Sequence, residues 1–162
     1  MKRIIETNSA MDKILLSKPR ISSHRANKRK IKAEIYEFFS KVNLYKRNGA
    51  ECFSTENIFD SNTYTVENCD SITDWEWDTN EIYLYKSIID TEFKKSICFA
   101  IESIESLLTE RFSGNSFYIN ISAQYGELRN VNIRIYLDRG KPYVDTDIEQ
   151  YKQPVLTEIL TT

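Results

Sequence analysis

Ser116-Phe117-Tyr118-Ile119-Asn120-Ile121-Ser122-Ala123-Gln124, followed five residues later by Asn130-Val131-Asn132-Ile133-Arg134-Ile135-Tyr136-Leu137-Asp138, is the stretch that decides the fold. Phe117, Ile119 and Ile121 alternate, and so do Val131, Ile133, Ile135 and Leu137. In an extended chain alternate side chains share a face, so both runs read as strands with one apolar side. Tyr125-Gly126-Glu127-Leu128 lies between them as a hairpin connection, which makes the pair antiparallel. Arg139-Gly140 reads as a second tight turn leading to a short strand near Lys141 to Val144. Val155-Leu156 and Ile159-Leu160 read as a final strand or a terminal helical turn.

Upstream, the period changes. Phe93, Ile97, Ile101, Ile104 and Leu108 recur at helical spacing, widened by Ala100, Leu107 and Phe112. The spacing predicts a helix from about Thr91 to Phe112, with Asp90 as N-cap, Gly114 as stop and Glu102, Glu105 and Glu110 in water. Ile31, Ile35, Phe38, Val42 and Tyr45 predict another helix from about Arg25 to Arg47, capped by Ser22 or Ser23 and stopped by Asn48-Gly49. Residues 50–80 show no sustained period and read as loop with short strands, Thr63 to Val66 among them. Glu81 to Tyr85 alternates like a strand. In residues 1–20, Ile14-Leu15-Leu16 fits a short strand, and residues 1–10 read equally as a loose extension before Met11. The expected fold class is α+β: one domain over 1–162, an antiparallel β-meander of three to five strands with two main α-helices packed on one face.

The 162 residues contain four glycines and three prolines, too few for linkers or low-complexity arms. Met1-Lys2-Arg3-Ile4-Ile5 is followed at once by Glu6-Thr7-Asn8, so no apolar leader is read there, and no apolar run reaches the ~18 residues of a membrane span. A cytoplasmic location is expected. Cys52, Cys69 and Cys98 read as three reduced thiols, with a Cys52–Cys69 disulfide as the alternative.

Charge is strongly segregated. Residues 1–47 hold 13 Lys and Arg against four acids, whereas residues 48–85 hold nine acids and no base. Such separation points to a partner, or to a clasp between the two segments.

Chemistry finds less support. His24 is the only histidine, and GxSxG, P-loop and GxGxxG patterns are absent, so no catalytic residue and no cofactor are assigned. Asp145, Asp147 and Glu149 alternate, as do Asp74, Glu76 and Asp78. Extended strands would let either triplet converge on Mg²⁺ or Ca²⁺, although solvated acids are the simpler reading and no metal is assigned. The run His24-Arg25-Ala26-Asn27-Lys28-Arg29-Lys30-Ile31-Lys32 opens a helix with a basic stripe, so nucleic-acid binding is the alternative function.

The acidic segment is the sharper candidate. Asp70-Ser71-Ile72-Thr73-Asp74-Trp75-Glu76-Trp77-Asp78 interleaves acids with two tryptophans. In an extended chain Trp75 and Trp77 share one side and Asp74, Glu76 and Asp78 the other. Either that is a core row and a wet row, or it is a phosphate-mimicking surface with aromatic anchors. The partner-binding set expected on the second reading is Glu67, Asp70, Asp74, Trp75, Glu76, Trp77, Asp78 and Glu81.

Asn132 to Gly140, with the acid-led segment from Asp145 and the Gln153-Pro154-Val155-Leu156 close, resembles the tails of small bacterial immunity proteins from contact-dependent inhibition and other polymorphic toxin systems. The resemblance spans about 25 residues of the 162. It implies a compact non-catalytic α+β protein whose partner is a cognate toxin domain, a nuclease or another toxic activity; separately, a monomer or weak dimer is expected. It carries over no binding residues, since each antidote fits its own toxin.

Overall fold

A computed structural model describes residues 2–16, 28–60, 69–84, 93–124, 130–143 and 147–162. The alternating runs that open the sequence argument become β5 (Ser116–Gln124) and β6 (Asn130–Leu137), paired antiparallel from Phe117↔Leu137 to Gln124↔Asn130. The C-terminal segment is a strand, β7 (Val155–Thr161), antiparallel to β5 on its other side. β4 (Glu81–Leu84) joins β6, and β1 (Lys2–Thr7) joins β7, giving a five-stranded sheet of order β1-β7-β5-β6-β4. Every pairing is antiparallel, but the order is not a simple meander, because the last strand sits between the first and the fifth.

Phe117, Ile119 and Ile121 of β5, Ile133 and Ile135 of β6, Ile82 and Leu84 of β4, and Leu156 and Leu160 of β7 make one apolar face. α2 (Lys28–Lys41) and α4 (Phe93–Arg111) cover it with Ile31, Ile35, Phe38, Ile97, Ile104 and Leu108, all buried. Each such side chain contributes about 1.5–3 kcal/mol before entropy is counted. α1 (Ser9–Leu16) adds Met11 at the β1–β7 corner. The expected α+β class therefore stands, with α2 and α4 on one face, but the described residues hold seven strands, more than the three to five expected because the β2–β3 hairpin and β1 add to the count, and four α-helices.

Several local expectations are corrected. The first helix ends at Lys41, and Asn43–Arg47 is a strand, β2, hairpinned to β3 (Ala50–Ser54). Asn48 and Gly49 both take positive φ, 51° and 83°, the geometry of a type I′ hairpin turn rather than a helix stop. Ile14-Leu15-Leu16 lies in α1, and Lys2–Thr7, read as a loose extension, pairs along β7. Gly140, with a φ of +81°, makes the expected turn, but residues 141–143 are not a strand, and Val144 lies outside the described residues. Glu102 and Glu110 are exposed, but Glu105 is buried. The tentative strand at Thr63–Val66 and the hairpin connection 125–128 lie outside the described residues.

Asn8 ties the chain's two ends together. Its Oδ1 accepts from Met11 N at 2.9 Å, capping α1, and from Val155 N at 3.0 Å. Its Nδ2 donates to the carbonyls of Tyr151 and Gln153 at 3.1 and 2.8 Å.

Candidate functional site

The acidic run is helical, not extended. Cys69–Thr79 forms α3, which lies over β6 and β3. Ile72, Thr73, Glu76 and Asn80 are buried while Asp74 and Asp78 are exposed, a period of three to four rather than two. Residues two apart on a helix point about 200° apart, so Trp75 and Trp77 separate onto opposite flanks.

Glu76 is correspondingly removed from the surface. Its Oε1 accepts from Phe53 N at 2.7 Å and Arg139 Nη2 at 2.7 Å. Its Oε2 accepts from Leu137 N at 3.0 Å and Arg139 Nη1 at 2.8 Å. Burial pushes this carboxyl above its ordinary range, and Arg139 with the two backbone N–H groups pulls against that shift. All four partners are donors, which suits an ionised carboxylate. Arg139 also donates to Glu51 O at 2.8 Å and Thr73 Oγ1 at 3.1 Å. Asn80 completes the clamp by donating to the Phe53 and Ile135 carbonyls. This node seats α3 against both sheets.

Trp75 turns toward the hairpin. It packs on the small core of Cys52, Ile58, Phe59 and Ile72, and its Nε1 donates to Ser54 Oγ at 3.0 Å. Trp77 turns toward the polar face of the main sheet. Its ring lies 4.6 Å from that of Tyr143 and 5.9 Å from that of Tyr136, with the Arg134 guanidinium 4.6 Å away. Glu81 is tied to the same cluster: its Oε1 accepts from Arg134 Nη2 at 2.9 Å and from Asn132 Nδ2. Beneath Trp77, Asn120, Ser122, Asn132 and Arg134 floor a cavity of about 130 Å³.

The outer face of α3 keeps Asp74 and Asp78, one turn apart. Burial first, then the hydrogen bond to Asp74, raises the Tyr143 hydroxyl above its ordinary range, which places the Tyr143 ring beside these acids. The expected partner-binding set thus divides. Asp74, Asp78 and Trp77 converge with Tyr143. Glu81 is held by Arg134, Trp75 is an internal anchor, and Glu76 is internal. Asp70 falls in the first turn of α3 with its side chain outside the described residues, as is Glu67. Tyr143 and the Glu76–Arg139 node were missed; only the Ile72-Trp75-Glu76-Thr79 spacing hinted at them.

The Asp74, Glu76 and Asp78 triplet does not converge, whereas Lys28, Arg29, Lys30 and Lys32 stay exposed on α2. A helix splays Asp74, Glu76 and Asp78, and Glu149 instead accepts from Ser9 N and Oγ at 2.9 and 2.6 Å. Among the described residues no group of three His, Cys, Asp or Glu could hold a metal ion. Cys52 and Cys98 are free thiols. On the basic helix, Lys28 lies 5.1 Å from the Phe99 ring and Lys32 5.1 Å from the Tyr36 ring. No helix is long and apolar enough to cross a membrane among the described residues. No protein-family model, curated protein or solved structure matches the chain.

Proposed function

We propose that this chain is a non-catalytic inhibitor, an immunity protein that neutralises a cognate toxin domain by setting the outer face of α3 against a basic surface. Asp74, Asp78 and the Trp77–Tyr143 ring pair make up that contact. The partner is a cationic protein, a nuclease with a phosphate-binding cleft being the best chemical fit, and the two meet in the cytoplasm.

One observation carries this reading. Asp74 and Asp78 stand one turn apart in the exposed row of α3, whose last turn contains no basic residue. Like charges at this spacing destabilise a helix by about 0.2–0.5 kcal/mol. An acid near a helix C-terminus opposes the macrodipole by about 0.3–1 kcal/mol. Neither aspartate makes an ion pair among the described residues. Acids retained at local cost, beside rigid aromatic rings, are the signature of a surface shaped by a partner.

The test is a search for a toxin-like reading frame beside this gene, followed by stopped-flow association with its expressed domain at low and moderate salt. Clustered acids steer a cationic partner and speed encounter by about 10–10³-fold. D74N/D78N is expected to slow association about tenfold at low salt and flatten its salt dependence. An unchanged rate with an unchanged salt slope refutes the reading.

A further inference from the structure

Glu158 is the only charged residue of β7, and it points into the helix-covered side of the sheet. It is fully buried, opposite Ile119 of β5 and Ile5 of β1. Glu105 of α4, also buried, meets it there. Arg3 reaches in from β1, its Nε 2.9 Å from Glu105 Oε1 and 2.7 Å from Glu158 Oε1. Among the described residues the neighbouring elements add no other charge to this cluster. α1 contributes buried Met11, while its Asp12 accepts from Thr7 Oγ1 at 2.5 Å and its Lys13 is exposed. Glu6 aligns with Thr157, whose hydroxyl bonds Asn120 at 2.8 Å on the opposite face. One guanidinium therefore faces two carboxyls, and neither Glu158 oxygen receives a well-aligned hydrogen bond such as the four at Glu76.

We propose that Arg3, Glu105 and Glu158 form a proton-tightened latch that docks edge strand β1 onto β7, so that β1 loosens as pH rises toward neutrality and beyond. With both carboxyls ionised, the buried cluster holds one negative charge too many. With one proton shared between them, it is neutral and each carboxyl has a partner. β1 is the element that responds. It is at the sheet edge, it pairs only with β7 among the described residues, and Ile4 and Ile5 are 43% and 44% exposed, so little apolar burial retains it.

The direction follows from linkage. Burial first and then the neighbouring Glu105 push the Glu158 carboxyl from 4.5 up to about 8, against the pull of Arg3. Release of β1 lets water reach the pair and removes the largest of these causes, so docked β1 keeps a proton that released β1 gives up. Docking is tightest below the ordinary carboxyl range and weakens about tenfold per pH unit until the docked group itself ionises.

Hydrogen exchange of the full chain across pH 5 to 8, corrected for intrinsic exchange rates, tests this. The expected result is that protection of the amides of residues 2–7 falls about tenfold per pH unit while β5 and β6 keep theirs. In E158Q the β1 protection should be flat with pH. Flat wild-type protection, or an unchanged slope in E158Q, overturns the latch. Should E158Q not fold, the carbon-13 titration of the Glu158 carboxyl in the wild type decides: a midpoint near 8 supports the latch and one near 4.5 overturns it.

Discussion

Glu76→Ala is the perturbation whose effect follows most directly from the structure. The substitution strips Arg139, whose side chain is 19% exposed, of its counter-charge. It also leaves Phe53 N and Leu137 N without acceptors. Removing one partner of a buried ion pair costs about 3–5 kcal/mol. Each orphaned N–H costs about 1–3 kcal/mol. These groups share one network, so their costs overlap and the working figure is about 5 kcal/mol. That is a large share of the ~5–15 kcal/mol that holds a typical domain together. At this chain length it corresponds to a fall in Tm of about 10–20 °C. Urea unfolding followed by far-UV circular dichroism, with calorimetry for Tm, measures it. A companion double variant, E76M/R139M, replaces the charges with apolar volume and should recover more than half of the loss, because no unpaired charge stays behind. A loss below about 1 kcal/mol in E76A, or a double variant as unstable as E76A, would refute the claim that this node seats α3.

Three further outcomes are expected. G49A should cost about 1 kcal/mol, since a Cβ there meets nothing within 4 Å and the cost is that of a side chain at φ +83°; an unchanged melting curve would contradict the type I′ turn. Burial and then the Glu76 charge hold the Cys52 thiol up at about 12, so iodoacetamide at pH 8 should leave Cys52 unmodified in the native protein and alkylate it in urea, as read by peptide mass spectrometry; native labelling would show that the hairpin core opens. D78N should raise stability by about 0.3–1 kcal/mol by relieving the charge at the C-terminal end of α3; a loss in the same calorimetric assay would give Asp78 a structural role in place of a binding one.

The parts of the fold that were legible in sequence share one cause: a single face dictates residue type over several turns or pleats. β5, β6 and the Phe93–Arg111 helix present apolar series because one side of each is buried against the same core, whereas the inward row of β7 is broken by Glu158 and left strand and helical turn both open. Asn48-Gly49 was misread as a helix stop because the same dipeptide terminates a helix and closes a hairpin. What decides is the Cys52–Phe53 strand beyond it, whose side chains are fully buried. Asp74-Trp75-Glu76-Trp77-Asp78 misled because a strict alternation of acid and ring fits a strand. A helix uses the same five residues differently, sending Trp75 to the hairpin core, Trp77 to the polar face of the main sheet and Glu76 inward. Glu76 looked like one acid among nine because its counter-charge, Arg139, lies 63 residues away. Glu105 failed similarly, its partners coming from β1 and β7. Long-range polar pairs leave no period in the chain, so charge segregation marked an acidic segment without showing that part of it is helical or which of its acids face outward.

The most direct measurement of the central claim is a hydrogen-exchange and cross-linking footprint of the full chain bound to the cationic toxin domain proposed as its partner. The account predicts new protection centred on residues 72–79 and cross-links through Asp74 and Asp78, with the basic face of α2 unchanged. Protection confined to the Lys28–Lys32 face, or a footprint that bypasses α3, would contradict it.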